Sequence, residues 1–366
     1  MCNQPTMQKL TQRLTRRNVL KALGLGAATT AGLRNAFAQQ PAFPKGAIIR
    51  TILKDYAPEE LAGGATLFHE HMQLAPDFFA RFTAAAAAAR AANGLPPAPP
   101  RAAAASTGPD IMHDVDLMSA EVAKTKSEGV ACMVDGGHSD MGRNIDFLRQ
   151  VSLKSGVPIV AGGGFYAQPF YPKEISTMSE DQILNALVKQ ADDDVLGAFG
   201  EIGSWDEITQ DERKVFRAVG RAHVATNLPI FTHTGIPGKS AIEQLDILED
   251  AGAKPERVLI GHLGNLVDAN VYVHKALCRR GAFIGFDRQG GTNDGQQVPM
   301  VMALIEAGFA GHLMFSADAS SGYAKTLTVF LPKLQAAGAN DEVLHQIMVD
   351  NPRRFLAFVP KRPRRK

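Results

Sequence analysis

The chain has 366 residues, of which 45% are apolar and 21% charged. That length suits one α/β barrel of about 250 residues with insertions. The 39 basic and 37 acidic residues are too evenly balanced for a dedicated nucleic-acid binder. The net charge of +2 is unevenly spread. Residues 1–38 hold Lys9, Arg13, Arg16, Arg17, Lys21 and Arg34 and no acid, and residues 361–366 carry five further cations, so the body between them stands near −9. An acidic body suits a protein that holds divalent cations, and equally a solvated acidic surface.

In chain order, Thr15-Arg16-Arg17-Asn18-Val19-Leu20-Lys21 comes first and resembles a twin-arginine export signal. A weakly apolar stretch, Ala22 to Leu33, and an Ala36-Phe37-Ala38 cleavage pattern follow it. The order of basic region, short apolar region and small-residue site predicts a removable signal peptide over 1–38. The apolar run is too short for a stable membrane span. This resemblance implies a bacterial protein exported folded by the twin-arginine machinery, to work in the periplasm or outside the cell. Cys132 and Cys278 remain after cleavage, which gives no disulfide framework.

From residue 39 onward, short apolar or β-branched runs alternate with helical patterns. The expected strands are Ala65–Phe68, Val130–Asp135, Pro158–Gly162, Val195–Glu201, Pro229–His233, Val258–His262, Ala282–Phe286 and Leu313–Ser316. Helical segments include Asp114–Glu128, Ile145–Lys154, Asp211–Thr226, Ser240–Ala251 and Val298–Ala307. Eight such units predict parallel strands and a closed (β/α)8 barrel in a single domain over 39–360, ahead of a basic tail at 361–366. No Gly-x-Gly-x-x-Gly turn follows the first strand, against dinucleotide binding. Residues 83–105, rich in Ala and Pro, interrupt the rhythm. They read as a flexible insertion or flap, or as a linker without function.

The working side chains of such a barrel project from the C-terminal ends of its strands. Strand one ends in Phe68-His69-Glu70-His71, which puts His69 and His71 on one face. Strands five, six and eight end at His233, His262 and Asp318. Imidazole with carboxylate suits zinc, and also manganese, cobalt or iron. Each residue alone is a weak signal; the set on an eightfold repeat is a strong one. The other histidines, His113, His223, His274, His312 and His345, read as structural, and His138, which follows strand two within reach of the pocket, is left unassigned.

Taken together, these motifs resemble the phosphotriesterase family of the amidohydrolase superfamily. The resemblance rests on Gly64 through His71, Val134-Asp135 through Gly142-Arg143-Asn144, Val258 through His262, Ile284 through Arg288, and Asn351-Pro352-Arg353-Arg354. It implies two divalent metal ions, of which zinc is the expected species. His69, His71 and Asp318 would hold the more buried ion, and His233 and His262 the more exposed one. A carboxylate from the fourth strand would bridge them. Many members use a carboxylated lysine there, whereas this chain reads Gly200-Glu201-Ile202-Gly203. It resembles a subgroup with glutamate in that role. A local bulge at Gly200 would turn Glu201 inward.

The chemistry implied is attack by a metal-activated water on an ester, lactone or phosphotriester, with Asp318 accepting its proton. Amide hydrolysis at the same site is the alternative, and a metal-bearing binding protein without turnover is the reading from another class. Tyr166 and Arg288 match positions that line the pocket in lactonase members and are candidate contacts for a small-molecule substrate. Loop packing for Tyr166, or an Asp287 salt bridge for Arg288, would serve as well. The resemblance also makes a homodimer an expectation.

Overall fold

A computed structural model describes residues 41–97, 110–235, 238–266, 268 and 270–364. The signal segment expected over 1–38 and the stretch 98–105 of the expected insertion lie outside the described residues.

An antiparallel pair, β1 (Ile49–Arg50) and β2 (Asp55–Tyr56), precedes eight strands that are parallel wherever they pair. These are β3 (Ala65–Glu70), β4 (Val130–Asp135), β5 (Ile159–Ala161), β6 (Phe199–Ser204), β7 (Ile230–Thr234), β8 (Val258–Ile260), β9 (Phe283–Phe286) and β10 (Leu313–Phe315). Ladders join β3 to β4 to β5, and β6 in order to β10. Two seams connect the ladders. At one, Asp318 N–H donates to the His69 carbonyl at 3.2 Å, and His69 N–H donates to Ser316 Oγ at 3.0 Å. At the other, Gly197 N–H donates to the Ala161 carbonyl at 3.0 Å and Gly200 N–H to that of Gly163 at 2.8 Å. The fold is the expected (β/α)8 barrel in one domain.

The barrel interior is apolar below its mouth. Phe68, Cys132, Val134, Val160, Ala198, Phe231, Leu259 and Met314 meet there, one or two from each of seven strands or their leading ends. Ile49, Leu61, Phe355 and Leu356 belong to the same cluster. A larger apolar layer lies between strands and helices, with Ile159, Ile230, Ile260 and Ile284 facing residues such as Val215, Leu245 and Leu277. Local capping sets several helix starts. Asp114 accepts the N–H groups of Asp116 and Leu117, while Ser179 and Thr209 open capping boxes with Gln182 and Glu212.

Three expectations need correction. Residues 195–198 are not strand: Val195 has φ 55°, and pairing begins at Phe199 and runs on to Ser204. The strand therefore extends past Glu201 instead of ending on it. Residues 83–92 belong to α1 (Phe78–Ala92), a regular helix that alanine favours. Arg288 does not pair with Asp287; it reaches Asp318 instead.

Among the described residues, no helix is long and apolar enough to cross a membrane. Cys132 and Cys278 are buried free thiols, and burial pushes both pKa values up to about 12.

Candidate active site

Two strands carry the same irregularity, and both serve the site. Between Leu67 and Glu70, β3 sets three residues against two on β4, so the alternation of faces slips by one. Phe68 thus fills the interior, and His69 follows it inward. Between Phe199 and Ile202, β6 slips against β7 in the same way. Ala198 lies inside and Ile202 outside, and Glu201 turns to the mouth. A Cβ at Gly200, where φ is 145°, would stand 2.4 Å from the Phe231 carbonyl oxygen, so only glycine fits the slip.

All six expected residues converge. Glu201 is at the centre and only 2% exposed. Its Oε1 lies 3.3 Å from His71 Nε2, while its Oε2 lies 2.9 Å from His233 Nδ1, 3.3 Å from His262 Nε2 and 3.4 Å from His69 Nε2. One carboxylate thus faces His71 with one oxygen and the other three imidazoles with its second. Asp318 Oδ1 sits 3.2 Å from His71 Nε2 and 3.8 Å from His69 Nε2. His233 Nδ1 and His262 Nε2 are 2.7 Å apart.

Ligand-capable atoms of His69, His71 and Asp318 lie within 4.8 Å of one another, as do those of His69, Glu201 and His262. A third such group, His262, Asp287 and Asp318, includes a residue that the sequence offered only inside a motif. Both ring nitrogens of His69, and Nδ1 of His71, are buried without a hydrogen-bond partner. Buried polar atoms rarely stay unpaired unless an ion or water completes them. Imidazoles and carboxylates so grouped are a fitting donor set for divalent cations.

The charges agree. Burial presses the His71 pKa down, but hydrogen bonds and charge from Asp318 and Glu201 outweigh it and raise the pKa to about 9. His69 is raised well above its usual value against the same burial, chiefly by Glu201 and Asp318. Burial alone would raise the carboxyl pKa of Glu201, yet the facing imidazoles hold it well below the usual range. The protons that His69 and His71 hold against burial balance the facing carboxylates, and a divalent cation at this site would take their place. His233 goes the other way: burial and the facing His262 lower it to about 4, which leaves a neutral imidazole suited to a ligand role.

Asp287 and Glu70 were not recognised as functional from the sequence. Asp287, immediately after β9, accepts from His262 Nδ1 at 2.7 Å and fixes that ring. Glu70 lies between the two histidines of the first strand and points into the seam. It accepts from Ser316 Oγ at 2.7 Å and from Ala317 N–H and Ala319 N–H at 2.9 Å each. These two N–H groups flank Asp318, whose φ of 49° is uncommon for a residue with a side chain. Their neighbours in the motifs, Arg288 and the two histidines, were the signal that pointed there.

The candidate contacts are both at the cavity. Tyr166 OH lies 3.0 Å from His233 Nδ1, and Arg288 Nε donates to Asp318 Oδ2 at 2.8 Å. The cavity is about 560 Å³ and reaches Glu201 and Asp318 at its floor. Of the remaining histidines, His223, His274 and His312 bond backbone carbonyls, and His113 and His345 face Asp110 and Asp350. His138 is fully buried with neither nitrogen bonded, and burial pushes its pKa down to about 3.

Imidazoles and carboxylates gathered at the mouth of a (β/α)8 barrel stand where the working groups of such barrels stand. The sequence profile of the phosphotriesterase family matches residues 51–356. The chain belongs to the phosphotriesterase family and is a phosphotriesterase-like hydrolase. It is 24% identical to the N-acetyltaurine hydrolase of Danio rerio over 85% of this chain and 98% of that protein. It is 30% identical to the aryldialkylphosphatase of Saccharolobus solfataricus over 65% of this chain and 84% of that protein. Among solved structures, the phosphotriesterase homology protein of Escherichia coli, with phosphate in its active site, superposes with a TM-score of 0.68 at 26% identity. That superposition covers 80% of this chain and 98% of the other.

Proposed function

We propose that the protein is a hydrolase dependent on two divalent metal ions, zinc in the first instance, that cleaves a carboxylic ester, lactone or phosphotriester. The observation that carries this reading is the division of Glu201 between His71 on one oxygen and His69, His233 and His262 on the other. His69, His71 and Asp318 would hold one ion, His233 and His262 the other, and Glu201 would bridge them. When bound, such a pair supplies Lewis acidity and brings the pKa of a water toward neutrality.

The chain's own residues do the rest. Asp318, its carboxyl pKa depressed by His69 and Arg288 against the effect of burial, is the ionised base beside the floor of the cavity. It takes the proton from the attacking water and delivers it to the departing oxygen. Arg288 holds that carboxylate in place at 2.8 Å. Tyr166 OH, beside His233, can donate to the oxygen of the group under attack.

Amide hydrolysis is the second reading, and one observation favours it: the match to N-acetyltaurine hydrolase spans 98% of that relative, against 84% of the aryldialkylphosphatase. An amide demands that Asp318 protonate the leaving nitrogen, since an amine departs poorly as an anion. A panel of aryl esters, lactones, N-acyl amides and a dialkyl aryl phosphate, assayed on zinc-loaded protein, tests all of this. Turnover of any class supports the hydrolase; inactivity on every class with two equivalents of metal bound returns the non-catalytic binding protein.

We propose further that residues 1–38 direct twin-arginine export and that the mature chain works as a homodimer in the periplasm or outside the cell. A periplasmic form beginning at Gln39, and light scattering of that form, check both points. Retention of an intact N-terminus in the cytoplasm, or a monomeric mass, overturns the respective statement.

A further inference from the structure

The helix Ala241–Asp250 buries Ala241, Leu245, Ile247 and Leu248, and with them one amide, Gln244, which has no exposed surface. An amide on an apolar face is costly unless its polar atoms are bonded. Here both ends are bonded. Oε1 accepts from Thr232 Oγ1 at 2.7 Å and from Thr234 Oγ1 at 3.1 Å. Nε2 donates to Ser204 Oγ and to the His233 carbonyl, at 2.9 Å each. A carbonyl can only accept, so the His233 contact fixes which end of the amide is nitrogen.

These bonds fall where the sheet gives least support. The ladder between β7 and β8 ends at Phe231 and Leu259, whereas the one between β6 and β7 runs on to Ser204 and Thr234. Thr232, His233 and Thr234 therefore extend past the pairing with β8, and Gln244 holds two hydroxyls and one carbonyl of that extension. Faces alternate along a strand, so the two threonines turn to the helix while His233 turns to the mouth, its Nδ1 2.9 Å from Glu201 Oε2. Ser204 ties the same amide to β6, the strand that carries Glu201. Across the site, Ser316 and Glu70 brace His69 and the backbone beside Asp318 at the seam between β3 and β10. The two sets of hydrogen bonds share no residue.

We propose that Gln244 is the positioning residue of His233, and that it sets the affinity of the more exposed metal site without altering the more buried one. This rests on the two-metal reading above and adds a separate control of the second ion. The cause is preorganisation. A fully bonded buried network rigidifies the segment it holds, and an imidazole already in place loses less freedom when it takes up an ion. Freed from the amide, the end of β7 keeps its pairing to β6 alone, and His233 is no longer held at one distance from Glu201.

The test is zinc titration of metal-stripped, full-length protein against a competing chelator, in which the wild type takes up two equivalents. Gln244→Met keeps the length and apolar packing of the side chain and removes its hydrogen bonds. It is expected to weaken the second equivalent about 10–100-fold, the usual effect of losing a group that orients a metal ligand, and to leave the first unchanged. Thr234→Val removes one of those bonds and keeps the shape; it should weaken the second equivalent about fivefold, and it serves where the methionine variant does not fold. The zinc needed for half-maximal turnover rises by the same factors. Leu248→Ala is the control. It loosens the same helix without touching the amide, lowers the thermal midpoint and leaves both equivalents as in the wild type. Equal weakening of both equivalents in Gln244→Met, weakening of neither, or selective loss of the second in Leu248→Ala reduces Gln244 to packing and overturns the proposal. A wild type that binds fewer than two equivalents removes the two-metal reading as well.

Discussion

Phe68 and His69 are adjacent in sequence and belong to opposite worlds. Phe68 closes the apolar interior with Phe231, Leu259 and Met314, whereas His69 opens the charged mouth with Glu201 and Asp318. Both layers are almost fully buried, yet different forces hold them. The interior gains from removal of apolar surface and from close packing. The mouth has buried several ionisable groups, which is costly unless they pair or take up cations. The contrast teaches that stability and function occupy successive layers of one barrel, separated by a single slipped residue on β3.

The comparison breaks most sharply at Glu201. Glu201→Ala is expected to lose both bound metal equivalents and to reduce turnover to background, read by metal analysis and a rate assay on one preparation. A variant that keeps the wild-type metal content sinks the bridging role. Asp318→Asn is expected to retain much of the metal while kcat falls on the order of 10²–10⁴-fold, the range for a lost acid-base group. Retained kcat would place the proton acceptor elsewhere.

Removal of metal sharpens the same contrast. Chelation should lower the thermal midpoint of the wild type, because cations held as proposed would bind only the folded mouth. Glu201→Ala should show no such drop on chelation; an equal drop would mean that the ions sit outside this cage. The smallest expected effect on function comes from the interior. Leu259→Ala should cost about 2–5 kcal/mol of stability with metal content and kcat per folded molecule preserved. A loss of metal in that variant would show the two layers to be one unit.

Much of the fold was legible in advance because repeated apolar runs bounded by turns recur eight times. Most expected strands fall within a residue or two of those found, and helix starts marked by Asp114 and Asn144 hold to within a residue. The fourth barrel strand was placed too early because Val195-Leu196-Gly197-Ala198-Phe199 reads as an apolar run. The chain needs a left-handed turn at Val195 before it can pair. Residues 83–92 read as low complexity because alanine has no face to report, although it suits a helix well.

The four strand-end histidines and Asp318 could be singled out from sequence because a barrel repeats the place where its working side chains stand, and Glu201 because the resemblance to the glutamate-bearing subgroup implied it. Which carboxylates serve which imidazoles was decided only in three dimensions. Asp287 turned to His262, Arg288 to Asp318, and Glu70 to the backbone on either side of Asp318. Those partners are set by strand register and by loops that meet across some 250 residues of chain, as Glu70 and Ala319 do. Residue order carries the alternation of faces; where a bulge reverses that alternation, packing of the closed sheet alone determines which side chain faces the mouth.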